Sequence, residues 1–156
     1  MTPMVHGSRS TAVGLLVARL IPGGILVYAG FLKALAPAAE FAAAIANYKL
    51  LPASALLPVS TAMPWIEMWV GLFLIVGLFT RWAARAAAVL YLSFVVMITT
   101  TFLRGISLES CGCFGSEIFP PQATFGIDVG MLVVCLLVAW SSRKEDPTLS
   151  LDTYLK

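Results

Sequence analysis

Ala86-Ala-Ala-Val-Leu-Tyr-Leu-Ser-Phe-Val-Val-Met-Ile-Thr-Thr-Thr-Phe-Leu103 runs without a charged residue. The hydrocarbon core of a bilayer, roughly 30 Å thick, is crossed by about 20 mostly apolar residues in helical form. A segment from about Ala83 to Phe102 meets that requirement. Working outward, three more stretches qualify: about Ala12 to Leu32, Val59 to Phe79, and Ala123 to Trp140, the last short and interrupted by Asp128. The chain as a whole is 60% hydrophobic and 12% charged with a mean hydropathy of +0.92. An average soluble domain is roughly 45–50% apolar. The expected fold is all-α: an integral membrane four-helix bundle forming a single domain over residues 1–156, with a polar tail over 143–156. Arg19 interrupts the first apolar stretch and no convincing small-residue cleavage site precedes Leu32, so that stretch reads as a retained helix rather than a secretory signal.

The distribution of Lys and Arg sets the expected orientation. With both termini in the cytoplasm, that side carries Arg9, Arg81, Arg85, Arg143, Lys144 and Lys156, and the outer side only Lys33, Lys49 and Arg104. This predicts a multi-pass protein of the bacterial inner membrane, with Trp65 and Tyr48 in one interfacial belt and Trp82 and Trp140 in the other. The net charge of +2 and the scattered basic residues exclude a nucleic-acid surface. Between Pro37 and Pro52 lies an Ala-rich stretch in which Phe41, Ile45 and Tyr48 fall at helical spacing. It is too short to span, so a short amphipathic helix at the outer surface is expected.

Small residues mark where helices approach closely. Gly126 and Gly130 form a small-xxx-small pair on the fourth segment, and Ala83, Ala84, Ala87 and Ala88 a flat patch on the third. Pro22-Gly23-Gly24 is expected to bend or loosen the first.

Arg19, Glu67 and Asp128 fall inside three of the segments. Ionisable side chains in hydrocarbon usually face the protein interior, so the three are expected to point at one another, with Arg19 reaching toward Glu67. Lys33 and Arg104, at the outer helix ends, would by themselves snorkel to the head groups. Two readings stand side by side: a buried ion pair that fixes helix order, or a polar pocket for a quinone head group or a proton path. The residues of that candidate pocket are Arg19, Glu67, Asp128, Tyr28 and Lys33.

Cys111-Gly-Cys-Phe-Gly115 carries the chemistry. Two sulfurs one residue apart can join only in a small, strained ring, which makes a disulfide more oxidising. So short a loop removes little chain entropy and contributes little to stability. Both points favour exchange chemistry at Cys111 and Cys113, with Gly112 supplying backbone freedom. The third thiol, Cys135, lies deep in the fourth segment and His6 at the far end, so an intramolecular zinc site is not expected. No dinucleotide fingerprint or haem attachment motif is present, and no covalently bound cofactor is expected. A membrane quinone or a separate redox protein then remains as electron acceptor or donor. The rival functions are a noncatalytic anchor subunit of a redox complex and a carrier of soft metal ions such as copper or mercury.

The layout resembles the DoxX-like membrane proteins, and within them the MauE branch associated with methylamine utilisation. The resemblance covers about residues 13–140 and rests on Arg19 with the glycines that follow, Tyr28-Ala-Gly-Phe-Leu-Lys33, Asn47-Tyr-Lys-Leu-Leu-Pro52, Glu67 leading into Gly71, and Cys111-Gly-Cys-Phe-Gly115, in which Gly112, Phe114 and Gly115 support the motif. It implies a four-helix redox-associated protein that supports disulfide formation or thiol supply alongside a thioredoxin-like or other extracytoplasmic partner, with Cys111 and Cys113 as the exchanging pair.

Overall fold

The computed structural model describes residues 9–105 and 121–141. Cys111, Gly112, Cys113, Phe114 and Gly115, and the tail over 143–156, lie outside the described residues. The described chain is all helix: α1 (Arg9–Leu35), α2 (Ala38–Asn47), α3 (Ala53–Val76), α4 (Thr80–Leu103) and α5 (Pro121–Ser141). Four of these, α1, α3, α4 and α5, are long and apolar enough to cross a membrane. The protein is a multi-pass membrane four-helix bundle.

Helix boundaries follow from a few residues. Pro37 and Pro52 stand immediately before α2 and α3, where a missing N–H costs nothing. α3 therefore begins at Ala53, six residues before the expected Val59, and carries Pro58 and Pro64 inside it. Membrane helices tolerate interior prolines because neighbouring groups re-satisfy the freed carbonyls. The same helix stops at Val76 rather than Phe79. Gly77 takes the left-handed conformation there (φ 74°) and its N–H bonds to the Phe73 carbonyl at 2.9 Å, which is the usual way a helix closes. Phe79 is left-handed as well (φ 49°), and the chain reverses directly into α4. Pro22 does not interrupt α1, which is helical throughout. The Pro22 carbonyl instead accepts a hydrogen bond from the Tyr91 hydroxyl on α4 at 2.8 Å.

α1 and α3 run antiparallel at very close range. A Cβ on Gly71 would lie 2.6 Å from the Gly23 carbonyl oxygen, and one on Gly30 would lie 2.7 Å from that of Pro64. The small-residue crossing of this bundle is therefore Gly23, Gly30 and Gly71. The expected pair on α5 makes no such crossing among the described residues: a Cβ on Gly126 or Gly130 would meet nothing within 4 Å. The alanine patch on α4 does pack as expected. Ala83, Ala84, Ala87 and Ala88 are buried in one apolar core with Leu26, Leu74, Tyr91, Phe94, Cys135 and Val138. On α2, Ile45 is buried and Phe41 half-buried; Tyr48, just beyond its end, turns inward to 3% exposure instead of joining an interfacial belt. Trp65, Trp82 and Trp140 face outward.

Candidate functional site

Lys33 sits in the last turn of α1. Side chains on a helix tilt toward its N-terminus, so the Lys33 stem runs back into the bundle instead of out to the head groups. Gly30, one turn earlier, brings α3 close enough for the two helices to share a polar contact: a Cβ on Gly30 would lie 3.1 Å from the Glu67 Cβ. The Lys33 ammonium then donates to both Glu67 carboxylate oxygens, at 2.6 and 2.7 Å. Both side chains are essentially out of contact with solvent. The rings of Phe94 on α4 and Phe41 on α2 flank the same ammonium at 5.1 and 5.3 Å from their centroids. Desolvated cation–π contacts of this kind are worth about 2 kcal/mol. One nitrogen thus joins four helices.

This pairing corrects two expectations. Lys33 does not snorkel, and Glu67 is not paired with Arg19. The physical reason is axial distance. Glu67 lies level with Gly30, and Arg19 is eleven residues further back along α1, about 16 Å at 1.5 Å per residue. Arg19 is buried (2% exposed), but near the opposite end of the bundle. Asp128, on α5, is likewise buried (3% exposed). Tyr28 is not brought in, since half of its surface is exposed on the outer side of α1. Among the expected pocket residues the structure therefore joins Lys33 to Glu67, buries Arg19 and Asp128, and leaves Tyr28 half-exposed.

Tyr91, Phe94 and Phe41 belong to this centre and were not singled out for it from sequence. An aromatic at helical spacing on an apolar helix carries no mark that distinguishes it from ordinary core. The Lys33–Glu67 geometry suits an ion pair that fixes helix order, because each carboxylate oxygen is already bonded to the ammonium. Among the described residues no three His, Cys, Asp or Glu side chains cluster as a metal site would require.

The described residues that flank the Cys–Gly–Cys stretch in sequence belong to α4 and α5. Arg104 caps α4 and its guanidinium donates to the Tyr48 carbonyl at 3.4 Å, while Phe102 meets Phe125 of α5 edge-on at 6.2 Å. The end of α4 and the start of α5 therefore stand together at the α2 end of the bundle.

The family model described as methylamine utilisation protein MauE matches residues 11–141. Two curated relatives carry the same description. The methylamine utilization protein MauE of Methylophilus methylotrophus is 36% identical over 74 residues, which is 47% of this chain and 39% of that protein. That of Paracoccus denitrificans is 30% identical over 115 residues, 74% of this chain and 62% of that protein. The chain thus spans less than two thirds of the length of either relative. No solved structure matches it.

Proposed function

Because the chain belongs to the MauE family, we propose that it is a membrane thiol–disulfide exchange protein with an accessory role in methylamine utilisation, and that Cys111 and Cys113 are its exchanging pair. The observation that supports this reading is the meeting of the α4 end and the α5 start beside α2, which puts both described flanks of the Cys-Gly-Cys stretch at one end of the bundle and hence toward one surface of the membrane. The reading places that surface on the periplasmic side of a bacterial inner membrane, with both termini cytoplasmic, where disulfides persist. The DoxX-like likeness of the layout agrees with it.

Turnover balances as follows. A thiolate of a thioredoxin-like partner attacks one sulfur of the Cys111–Cys113 disulfide; the other sulfur leaves as thiolate and takes up a proton. The partner's second thiolate resolves the mixed disulfide. The partner gains a disulfide, and Cys111 and Cys113 hold two electrons and two protons. A membrane quinone, if bound, would supply the acceptor for those two electrons and two protons, so that Cys111 and Cys113 could return to the disulfide. The Lys33–Glu67 pair acts in this scheme by fixing the helices, not by meeting the quinone.

The test is the redox state of the two thiols in membranes, trapped with a mass tag after reductant and again after oxidised quinone. Cycling in the native protein, with loss in Cys111→Ser and Cys113→Ser despite normal insertion, is the expected result. A native pair that stays permanently reduced or permanently oxidised sinks the exchange reading; reoxidation that proceeds equally well without quinone sinks the quinone half alone.

A further inference from the structure

Arg85 breaks the usual pattern for a charged residue in a membrane span. It stands five residues beyond Thr80 in α4, about 8 Å along the helix axis, and charged side chains within spans normally turn to the bundle interior. The interior face of α4 is instead taken by Ala83, Ala84, Ala87, Ala88 and Tyr91. Arg85 lies outside that face, partly exposed, on the stripe that carries the exposed Trp82 three residues before it and Val89 four after. Side chains on a helix tilt toward its N-terminus, which for α4 is the way out to the nearer membrane surface. The guanidinium therefore travels outward and comes to rest over the Trp82 ring, 4.9 Å from its centroid. A guanidinium placed this way spends its face on the indole and keeps its N–H edge for another partner. Among the described residues no carboxylate and no other acceptor meets that edge.

The surroundings define what that partner is. Arg81, one turn earlier on the same side of α4, adds a second exposed cation, and the first turn of α4 has no acidic residue. The N-terminal end of this 24-residue helix is itself the positive end of its dipole. Phe79 and Trp82, 64% and 66% exposed, flank the cations with aromatic surface of the kind that sits at head-group level. We propose that Arg85, stacked on Trp82, forms with Arg81 a site for the phosphodiester of an anionic phospholipid, at the membrane surface opposite α2. A planar guanidinium edge matches two phosphate oxygens at once. A phosphatidylglycerol-type head group brings that phosphate with no cation of its own. The ammonium of an ethanolamine or choline lipid would instead stand beside two arginines, with no carboxylate in the first turn of α4 to receive it. Neither Cys111 nor Cys113 takes part, so the lipid site stands or falls separately from the exchange reading.

The experiment uses the full chain in mild detergent, titrated in parallel with phosphatidylglycerol, with phosphatidylethanolamine of the same acyl chains, and with inorganic phosphate. Bound lipid is counted by native mass spectrometry, and unfolding temperature is read alongside. The proteins compared are the native chain, Arg85→Gln, Arg85→Lys, Trp82→Leu and, as a control at the other end of the bundle, Arg104→Gln. The native chain is expected to prefer phosphatidylglycerol to phosphatidylethanolamine by about fivefold or more. Arg85→Gln is expected to lose about fivefold in affinity for phosphatidylglycerol, the contribution of one basic residue near an anionic surface. Arg85→Lys keeps the charge without the planar fork and is expected to lie between the two. Trp82→Leu is expected to fall by about twofold to fivefold, and Arg104→Gln to match the native chain. Equal native affinity for the two lipids overturns the site, as does native affinity in Arg85→Gln or an equal loss in Arg104→Gln. Displacement of the lipid by equimolar inorganic phosphate overturns it too, because the site would then be one for a free anion. Loss of the site removes only the rise in unfolding temperature that phosphatidylglycerol adds; a fall common to both lipids, with that rise intact, counts against it.

Discussion

Glu67 and Lys33 each depend on the other. A buried ion pair is weak evidence of stability, since two charges have been taken out of water, yet breaking it strands an uncompensated charge at a cost of about 3–5 kcal/mol. Lys33→Met and Glu67→Gln are therefore each expected to destabilise the bundle by about that amount, measured by unfolding in mild detergent. The double change Lys33→Met with Glu67→Met is expected to recover most of the loss. A double variant as unstable as either single one would show that the cation–π contacts to Phe41 and Phe94, not charge pairing, carry the cost. That Glu67 would need a buried partner was legible from its place in an apolar segment. Which cation supplied it was not, because the choice between Arg19 and Lys33 depends on the depth at which α1 and α3 cross, and that depth is set by Gly30 against Pro64.

At the scale of elements, glycines of equal appearance in the sequence have unequal roles. Gly71 and Gly23 admit no Cβ without backbone movement, whereas Gly126 and Gly130 have open space around them. Gly71→Ala is expected to cost about 1–3 kcal/mol by overpacking. Gly126→Ala is expected to leave stability unchanged or raise it slightly through better helix propensity. Thermal unfolding of the two variants side by side checks both, and equal losses would contradict the α1–α3 crossing described here. The number of helices, their approximate spans and the short α2 were all legible from hydropathy length and proline placement. Small-residue spacing showed that close crossings exist but not which helices make them: the motif is a property of one helix, and a crossing is a property of two. The left-handed Phe79 was likewise invisible, since a bulky residue at positive φ is disfavoured locally and is held there by the reversal from α3 into α4.

For the whole molecule, orientation is the decisive property. Among the described residues Lys33, Lys49 and Arg104 flank the α2 end and Arg9, Arg81 and Arg85 the opposite end, and the burial of Lys33 removes one from the surface that faces water at the α2 end. The asymmetry expected to set topology is thus stronger than a count of Lys and Arg by segment suggests. A membrane-impermeant maleimide applied to intact cells after mild reduction is expected to label Cys111 and Cys113 and to spare Cys135, which is fully buried. Labelling that requires the cells to be broken would reverse the topology and remove the periplasmic half of the functional proposal.

The Lys33–Glu67 pair also has a history in biosynthesis. Its members are 34 residues apart, and chains are made at about 5–20 residues per second, so the ammonium is delivered to the membrane about 2–7 s before its carboxylate. During that interval the Lys33 ammonium has no Glu67 carboxylate beside it and can snorkel to the head groups; the arrival of α3 brings the carboxylate that holds it within the bundle. The first span is therefore completed after it has been inserted, by a later part of the same nascent chain. A truncated product ending before Glu67 would leave that cation at the head groups, and α1 would lack the contact that fixes its depth.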